Sequence, residues 1–205
     1  LEEVTRCRKV INQILEDLQE SGEPHDSKIE FGVMIEVPAI AHSLSGILPI
    51  VDFISVGTND LVQYLLAVDR DNPRVASMYD PYHPGVLQVL NAIGEQASRS
   101  GKPASICGEI AGDHSFTPLL IGFGFRELSM APVFLPRVKL MVRSFSLDEC
   151  RDLATRALAT RPRSSPSPSP KTHCSPRTSG FPSGFAWRRS SKSEVSPQEI
   201  VFVEA

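Results

Sequence analysis

The chain has 205 residues, of which 41% are hydrophobic and 22% are charged, and its formal net charge is −3. This length and composition are typical of a globular domain with a sizeable core. Since no run of about 18 apolar residues exists, the sequence predicts no membrane-spanning helix. We expect neither a membrane nor a nucleic acid as a partner.

The spacing of the cysteines bears on the cellular location of the protein, and the identity of the first residue bears on the reading frame. Cys7, Cys107, Cys150 and Cys174 are far apart and form no CxxC pair, which argues against a zinc ribbon or a disulfide scaffold and favours a reducing, cytoplasmic location. The first residue is Leu1 and not Met, which indicates that the chain begins inside a longer reading frame.

Charge divides the sequence into two parts near residue 160. Residues 1–160 carry 14 basic and 21 acidic residues, a net charge of −7, whereas residues 161–205 carry 7 basic and 3 acidic, a net charge of +4. The second part contains the low-complexity run from Ser164 to Pro170. Such a composition cannot offset the entropy of chain ordering by burial, so we expect a folded domain over 1–160 and a disordered tail over 161–205. The closing run from Glu199 to Val203 resembles a strand but is expected to be isolated.

Strand and helix patterns alternate along the folded part. The patterns predict helices at 4–18, 39–48, from 61, at 86–97, 116–121 and 136–145, and from a capping box at Ser146–Glu149 to about residue 160. They predict strands at 29–37, 51–56, up to Cys107 and at 126–130. The polar segment from Asp69 to Pro84 is long for a strand–helix connection, and such segments are often functional.

This order is one helix followed by four strand–helix units. The strands read as continuously apolar, which is typical of a parallel sheet that is buried on both faces. We therefore predict an α/β fold that corresponds to the last four units of a (β/α)8 TIM-type barrel.

Two carboxylates follow neighbouring predicted strands. Glu36 and Asp60 lie one strand–helix unit apart, and two carboxylates at that spacing repel each other unless a cation lies between them. Few, hard oxygen ligands suit Mg²⁺ that also binds a substrate phosphate. The alternative is that the two acids are unrelated and that each caps a helix.

Three further polar residues have two interpretations each. Asn59 could donate its amide to an anionic substrate, or it could hold an Asx turn. Arg70 could bind a phosphate or a carboxylate, but a salt bridge to Asp69 or Asp71 is favoured on spacing alone. His83 lies between prolines, where a hydrogen-bonded turn residue is favoured over a catalytic base.

Cys107 ends an apolar run and precedes a glycine-punctuated acidic loop, Gly108–Asp113. It could be a nucleophile, a proton donor or part of the core. A covalent nucleophile needs a His base, and only His114 lies near it in sequence. Beside a metal-bound anion, the thiol is better placed to give a proton to a carbanion-like carbon.

Six motifs together resemble one family. They are Met34–Pro38, Ser55–Leu61, Ala67–Arg70, His83–Pro84, Cys107–Asp113 and Leu128–Pro132. They closely match the phosphoenolpyruvate-binding barrel of Enzyme I, the phosphoenolpyruvate-protein phosphotransferase family of the bacterial sugar phosphotransferase system. The resemblance covers about residues 1–160, and the stretch from Asp69 to Ala76 is also similar to the nitrogen-related branch.

The resemblance implies roles for the residues. Glu36 and Asp60 would ligate Mg²⁺, Asn59, Asp60 and Arg70 would bind phosphoenolpyruvate, and Cys107 would be the acid that protonates the enolate. It also implies transfer of the phosphoryl group through an enzyme histidine to a phosphocarrier protein of the HPr type. The Asp69–Pro84 segment corresponds to the region that such enzymes use for dimer contacts.

The sequence departs from the family in two ways. It lacks the phosphohistidine domain and the first half of the barrel, so we expect the isolated chain to be inactive. From Arg161 onward it is unlike the family, and a reading-frame change is one hypothesis for this switch. The alternatives are a fragment of pyruvate phosphate dikinase or phosphoenolpyruvate synthase, and an inactive remnant or dimerising binding module.

Overall fold

The computed structural model describes residues 1–159 and the short segment 201–204. The strands are β1 (Gly32–Ile35), β2 (Phe53–Gly57), β3 (Ala104–Cys107), β4 (Glu127–Met130) and β5 (Val201–Glu204). The helices are α1 (Glu2–Ser21), α2 (Pro38–His42), α3 (Leu44–Ile47), α4 (Thr58–Leu66), α5 (Pro84–Arg99), α6 (Glu109–Gly112), α7 (Thr117–Gly122), α8 (Leu135–Val142) and α9 (Leu147–Ala159). Short 3₁₀ turns occupy Leu48–Ile50, Ala76–Met78 and Pro132–Phe134.

The strands form one sheet in the order β1-β2-β3-β4-β5, and every neighbouring pair is parallel. The predicted α/β class and the parallel sheet are thereby confirmed. Because all the strands point the same way, their carboxyl ends meet at one edge, where the side chains after β1, β2 and β3 are brought together.

The prediction that both faces of the sheet are apolar is wrong. Residues at alternate positions, such as Ile54, Val56, Ile106 and Leu128, are almost fully buried in the core. The other face carries half-buried polar residues, namely Ser55, Ser105, Cys107, Glu127 and Ser129, together with the exposed Met34. The strands therefore alternate, and only one face is fully covered by helices.

The end of the chain adds a strand that the sequence pattern did not place. Val201–Glu204 pairs in parallel with β4, with Val201 opposite Glu127 and Glu204 opposite Met130. The expectation that this run is isolated is wrong, because the exposed edge of β4 offers backbone groups with which a strand can pair. The predicted disorder of the rest of the tail, and Cys174, lie outside the described residues.

Local sequence signals explain several helix ends. Gly22 ends α1 at φ 70°, and its N–H donates to the carbonyl oxygen of Gln19 while that of Glu23 donates to Leu18. The predicted capping box opens α9: Glu149 N–H donates to Ser146 Oγ at 3.2 Å, and Ser146 N–H donates to Glu149 Oε2 at 2.9 Å. The single helix predicted over 39–48 is broken into α2, α3 and a 3₁₀ turn.

A polar cluster joins α1 to the start of the sheet. The Asp52 carboxylate accepts hydrogen bonds from the Arg8 guanidinium at 2.7 Å and from the Phe31 N–H at 2.8 Å. The same guanidinium carbon lies 5.6 Å from the centre of the Phe31 ring. The cluster holds α1, which has no fully buried residue, against the sheet. Within the described segments, none of the helices combines the length and the apolar character needed to cross a membrane.

Candidate active site

Cys107 is the last residue of β3 and lies directly beside Gly57, the last residue of β2. The thiol is half-buried, and Sγ donates to the Val56 carbonyl oxygen at 3.3 Å. The backbone carbonyl of Cys107 accepts a hydrogen bond from the Thr58 hydroxyl at 2.7 Å. The structure therefore places the thiol at the carboxyl edge of the sheet, as predicted.

A short helix, and not a loop, follows the thiol. Gly108 lies at φ 103°, a backbone conformation that side chains disfavour, and it precedes α6. A Cβ at Gly108 would lie 2.6 Å from Thr58 Oγ1 and 2.8 Å from Asn59 Oδ1. Glycine is therefore required here both by the backbone angle and by the close approach of α4. The expectation of a loop at 108–113 is wrong over Glu109–Gly112, although this helix is only one turn long.

Asn59 connects the turn after β2 to the turn after β3. Its side-chain oxygen Oδ1 accepts a hydrogen bond from the Glu109 N–H at 3.0 Å, and its backbone carbonyl accepts one from the Tyr79 hydroxyl at 3.5 Å. Because Oδ1 is the acceptor, the amide nitrogen Nδ2 is left to donate elsewhere. Asn59 thus joins the turn after β2 to the turn after β3, and its amide nitrogen remains a possible donor.

Glu36 follows β1 and lies over the end of β2. Its carboxylate oxygen Oε2 would be 3.0 Å from a Cβ at Gly57, so the missing side chain of that glycine makes room for the carboxylate. Asp60 lies in the first turn of α4, three residues beyond the end of β2. The two predicted acids thus follow neighbouring parallel strands, but Asp60 is on a helix and not directly at a strand end.

The carboxylates at this edge of the sheet suit Mg²⁺, but they do not form a complete metal site by themselves. Glu36 and Asp60 both carry carboxylate oxygens at this edge of the sheet, and Glu109 in the first turn of α6 carries another. In the part of the chain that the structure describes, no group of three or more His, Cys, Asp and Glu residues could hold a metal alone. Two carboxylates without a closed cage fit an ion that keeps waters and takes further oxygens from a substrate.

Arg70 lies near the candidate site, but its guanidinium does not pair with Asp69 or Asp71, the partners that the sequence spacing favoured. Its guanidinium Nη1 is 3.8 Å from Glu109 Oε1, and its N–H donates to Gln63 Oε1 at 3.2 Å. The prediction of a salt bridge to Asp69 or Asp71 is wrong, because Asp69 instead accepts from the Asp71 N–H in a tight turn. Glu109 is 78% exposed, so this long ion pair is weak and the guanidinium can exchange partners.

His83 and His114 take no part in activating Cys107. His83 caps α5, since its Nδ1 accepts a hydrogen bond from the Gly85 N–H at 3.1 Å, and this confirms the interpretation as a turn residue. The sulfur of Cys107 contacts the hydroxyl of Ser55 and the carbonyl of Val56, and neither of these groups is an imidazole. The geometry gives no support to a covalent nucleophile with a His base.

Sequence reasoning missed Thr58, Tyr79 and Tyr82. Thr58 is fully buried, and its hydrogen bond to the Cys107 carbonyl ties the end of β2 to that of β3. Burial of the Tyr79 hydroxyl, more than the nearby Glu109 charge, raises the pKa of Tyr79. Tyr82 donates its hydroxyl to Asp113 Oδ2 at 2.9 Å and packs on Phe116 at 4.7 Å between ring centres. The signals in the sequence were the position of both tyrosines in the long Asp69–Pro84 segment and that of Thr58 in the Ser55–Leu61 motif.

Comparison with known proteins identifies the family of this chain. Residues 1–147 match the family described as PEP-utilising enzyme, PEP-binding domain. The chain is 39% identical over 158 residues, 77% of its length, to the phosphoenolpyruvate-protein phosphotransferase of Haemophilus influenzae, of which it covers 28%. It is 46% identical over 137 residues, 67% of its length, to the phosphoenolpyruvate-protein phosphotransferase of Cupriavidus necator, of which it covers 23%.

A longer relative has a different name. The chain is 38% identical over 161 residues, 78% of its length, to the multiphosphoryl transfer protein 1 of Escherichia coli K12, of which it covers 19%. The chain therefore spans between about a fifth and just over a quarter of the length of these relatives. From its match over residues 1–147, the chain belongs to the family described as PEP-utilising enzyme, PEP-binding domain.

Proposed function

We propose that this chain is the phosphoenolpyruvate-binding part of a phosphoenolpyruvate-protein phosphotransferase. The observation that carries the proposal is the convergence at one sheet edge of Glu36, Asn59 and Cys107, all packed around Gly57 and Gly108. An acidic side chain, an amide donor and a thiol that converge at one edge of a sheet suit a small phosphorylated anion. The names of the relatives, phosphoenolpyruvate-protein phosphotransferase, support this substrate.

The architecture that we propose for the domain is part of a (β/α)8 barrel. The strands β1 to β4 follow one another in chain order and are all parallel, so the connections can all lie on one face of the sheet. An open doubly wound sheet instead reverses its strand order at a switch point. The sequential order and the polar opposite face of the sheet therefore favour a barrel segment.

In the proposed site, Glu36 and Asp60 hold Mg²⁺, and Asn59 and Arg70 bind the substrate. The ion, when bound, neutralises phosphoryl charge and orients the substrate oxygens. The Asn59 amide donates to an oxygen of the anion, and the Arg70 guanidinium exchanges the exposed Glu109 for the substrate phosphate or carboxylate. Both contacts grow stronger as negative charge develops at the bound anion.

Cys107 is the proposed proton donor. When the phosphoryl group leaves the enol oxygen for a histidine, the electron pair of that bond produces the enolate of pyruvate. The proton of Sγ then passes to the methylene carbon, which forms the methyl group of pyruvate, and the thiolate regains a proton from solvent. The phosphohistidine passes its phosphoryl group to a phosphocarrier protein of the HPr type, and we place the enzyme in the cytoplasm as a homodimer.

Binding of phosphoenolpyruvate to the 205-residue chain tests the proposal. Titration calorimetry with and without MgCl₂ should give weak, Mg²⁺-dependent binding, in the millimolar range. Glu36→Gln and Asp60→Asn should abolish the dependence on Mg²⁺, whereas Glu95→Gln, on the exposed side of α5, should retain it. Binding that is independent of Mg²⁺, or equal in all variants, would contradict the proposed metal site.

Phosphotransfer by the chain alone is a separate measurement. We expect no transfer from phosphoenolpyruvate to an added carrier protein, because the histidine that accepts the phosphoryl group in the resembling enzymes has no counterpart among the motifs found. Transfer by purified chain 1–205 would refute this expectation.

A further inference from the structure

A chain of three side chains runs across the polar face of the sheet and ends at the thiol. The Ser105 hydroxyl donates to Ser55 Oγ at 2.9 Å, and the Ser55 hydroxyl donates to Cys107 Sγ at 3.6 Å. The parallel register places Ser55 directly opposite Ser105, so the sheet itself determines the contact between the two hydroxyls. All three residues are half-buried, where hydrogen bonds are screened less by water than at the surface.

The sulfur therefore has a defined donor and a defined acceptor. Sγ accepts from Ser55 on one side and donates its own proton to the Val56 carbonyl at 3.3 Å on the other. A thiol is a weak hydrogen-bond donor and rotates freely when it is alone. Here the two contacts hold the sulfur between the Ser55 hydroxyl and the Val56 carbonyl.

We propose that Ser55, supported by Ser105, is a positioning residue that orients Cys107 and stabilises its thiolate. The inference rests on the proposed role of Cys107 as proton donor and assigns the means by which that donor is kept ready. When the proton leaves Sγ for the substrate carbon, the sulfur becomes negative and the hydrogen bond from Ser55 becomes a charge-assisted one. Ser105 strengthens it because its own hydroxyl polarises that of Ser55.

The adjacent strand offers a matched control. Ser129 on β4 is the register partner of Cys107, on the edge of β3 that faces away from β2. Its side chain lies on the same polar face of the sheet as the thiol. Within residues 1–159 its hydroxyl makes no hydrogen bond to the thiol, since the contacts of Sγ are to Ser55 and Val56. Loss of the Ser129 hydroxyl removes a similar polar group from the same face and leaves the donor to sulfur intact.

The experiment measures alkylation of Cys107 by iodoacetamide as a function of pH in the 205-residue chain, with the Cys107 peptide quantified by mass spectrometry. Ser55→Ala should displace the midpoint of the pH profile upward by roughly half a pH unit or more, since the thiolate loses its donor. Ser105→Ala should give a smaller displacement in the same direction. Ser55→Thr, which retains a hydroxyl, and Ser129→Ala should keep the original midpoint.

An unchanged midpoint in Ser55→Ala, or an equal displacement in Ser129→Ala, would overturn the inference. Circular dichroism and the protection of buried Cys150 against alkylation report whether each variant is folded. If Ser55→Ala fails to fold, the profile of Ser105→Ala decides instead, and an unchanged midpoint in that variant would overturn the inference.

A kinetic readout separates this inference from the proposed function. In a longer enzyme that contains this domain and turns over phosphoenolpyruvate, Ser55→Ala should lower kcat by roughly tenfold with little change in KM, in line with the loss of one hydrogen bond to a charged atom. Full turnover by Cys107→Ala would refute the proposed proton donor, whereas the alkylation profiles test the contact between Ser55 and sulfur independently of turnover.

Discussion

The side-chain oxygen of Asn59 accepts a hydrogen bond from the backbone N–H of Glu109 at 3.0 Å, which joins the first turn of α4 to that of α6. The two residues are 50 positions apart in the sequence. This contact holds the segment after Cys107 against the segment after β2, so it determines the shape of the edge at which the proposed site lies.

We predict that Asn59→Ala lowers the free energy of unfolding by about 0.5–1.5 kcal/mol, the usual contribution of one hydrogen bond. It should also weaken the binding of phosphoenolpyruvate, because Nδ2 is lost together with Oδ1. Urea unfolding and titration calorimetry measure the two effects. Asn91→Ala, which removes a hydrogen bond between Asn91 and Glu95 within α5, is the control and should leave binding unchanged. Equal binding by Asn59→Ala would contradict the role of its amide.

Gly108→Ala should destabilise the chain more than an alanine at another glycine of positive φ. Its φ of 103° already disfavours a side chain, and the added Cβ would overlap Thr58 Oγ1 and Asn59 Oδ1. We expect a loss of about 2–3 kcal/mol in urea unfolding, at the upper end of the usual cost of such strain. Gly22→Ala is the control: its φ is 70°, nothing lies within 4 Å of the added Cβ, and its cost should be about 1 kcal/mol. Equal costs at the two positions would show that the contact with α4 is unimportant.

The Asp52 cluster should make stability depend on pH in the acid range. The hydrogen bond from the Phe31 N–H, followed by that from Arg8, lowers the pKa of Asp52 below its ordinary value of 3.8. A carboxyl whose pKa is lowered by folding stabilises the fold at pH values above its unfolded pKa. That stabilisation is lost as the pH falls through the lowered, folded value.

Asp52→Asn should therefore be less stable than the parent at neutral pH and should lose less stability between pH 5 and pH 2, as judged from urea midpoints. Asp17→Asn, on the exposed side of α1, is the control and should follow the parent. The same acid dependence in parent and Asp52→Asn would contradict the assignment.

Cys150 should be unreactive in the folded chain. Burial, followed by the charge of Glu149, raises the pKa of its thiol to about 12, and its side chain is fully buried in the core. At pH 8.5 we expect iodoacetamide to modify the exposed Cys7 rapidly and Cys150 only after unfolding in urea. Peptide mass spectrometry at successive times makes the comparison, with Cys7 as the internal control. Modification of both at similar rates in the native chain would contradict the packing of α9.

The pairing of β5 with β4 should protect the amides of β4 from hydrogen exchange. Neighbouring residues of a strand point their N–H groups to opposite edges, so replacing both Phe202 and Val203 by proline removes a donor to β4 whichever of them faces it. We expect exchange in Glu127–Met130 to accelerate by about tenfold. Phe202→Ala with Val203→Ala retains both N–H groups and should cause a smaller change. Unaltered exchange in the proline variant would indicate that β5 does not pair with β4 in solution.

Local pattern was sufficient to predict much of this fold. The spacing of apolar residues in α5, the capping box before α9 and the apolar run that ends at Cys107 each depend on neighbours within a few residues, and each is confirmed. The parallel order of β1 to β4 also followed from the alternation of strands and helices. For the same reason the sequence predicted Glu36, Asn59, Asp60 and Cys107 as candidates, since each follows or ends a predicted strand.

Contacts between distant segments were decided only by the tertiary structure. The partner of Arg70 is Glu109, the donor to the Cys107 sulfur is Ser55, and the run at 201–204 is the neighbour of β4. None of these pairs could be recognised from spacing, because parallel strands bring together residues that are tens of positions apart. The sequence by itself determined which side chains reach the carboxyl edge of the sheet. Strand register and the close approach at Gly57 and Gly108 decided which of them touch, since side-chain hydrogen bonds and ion pairs act only over a few ångströms.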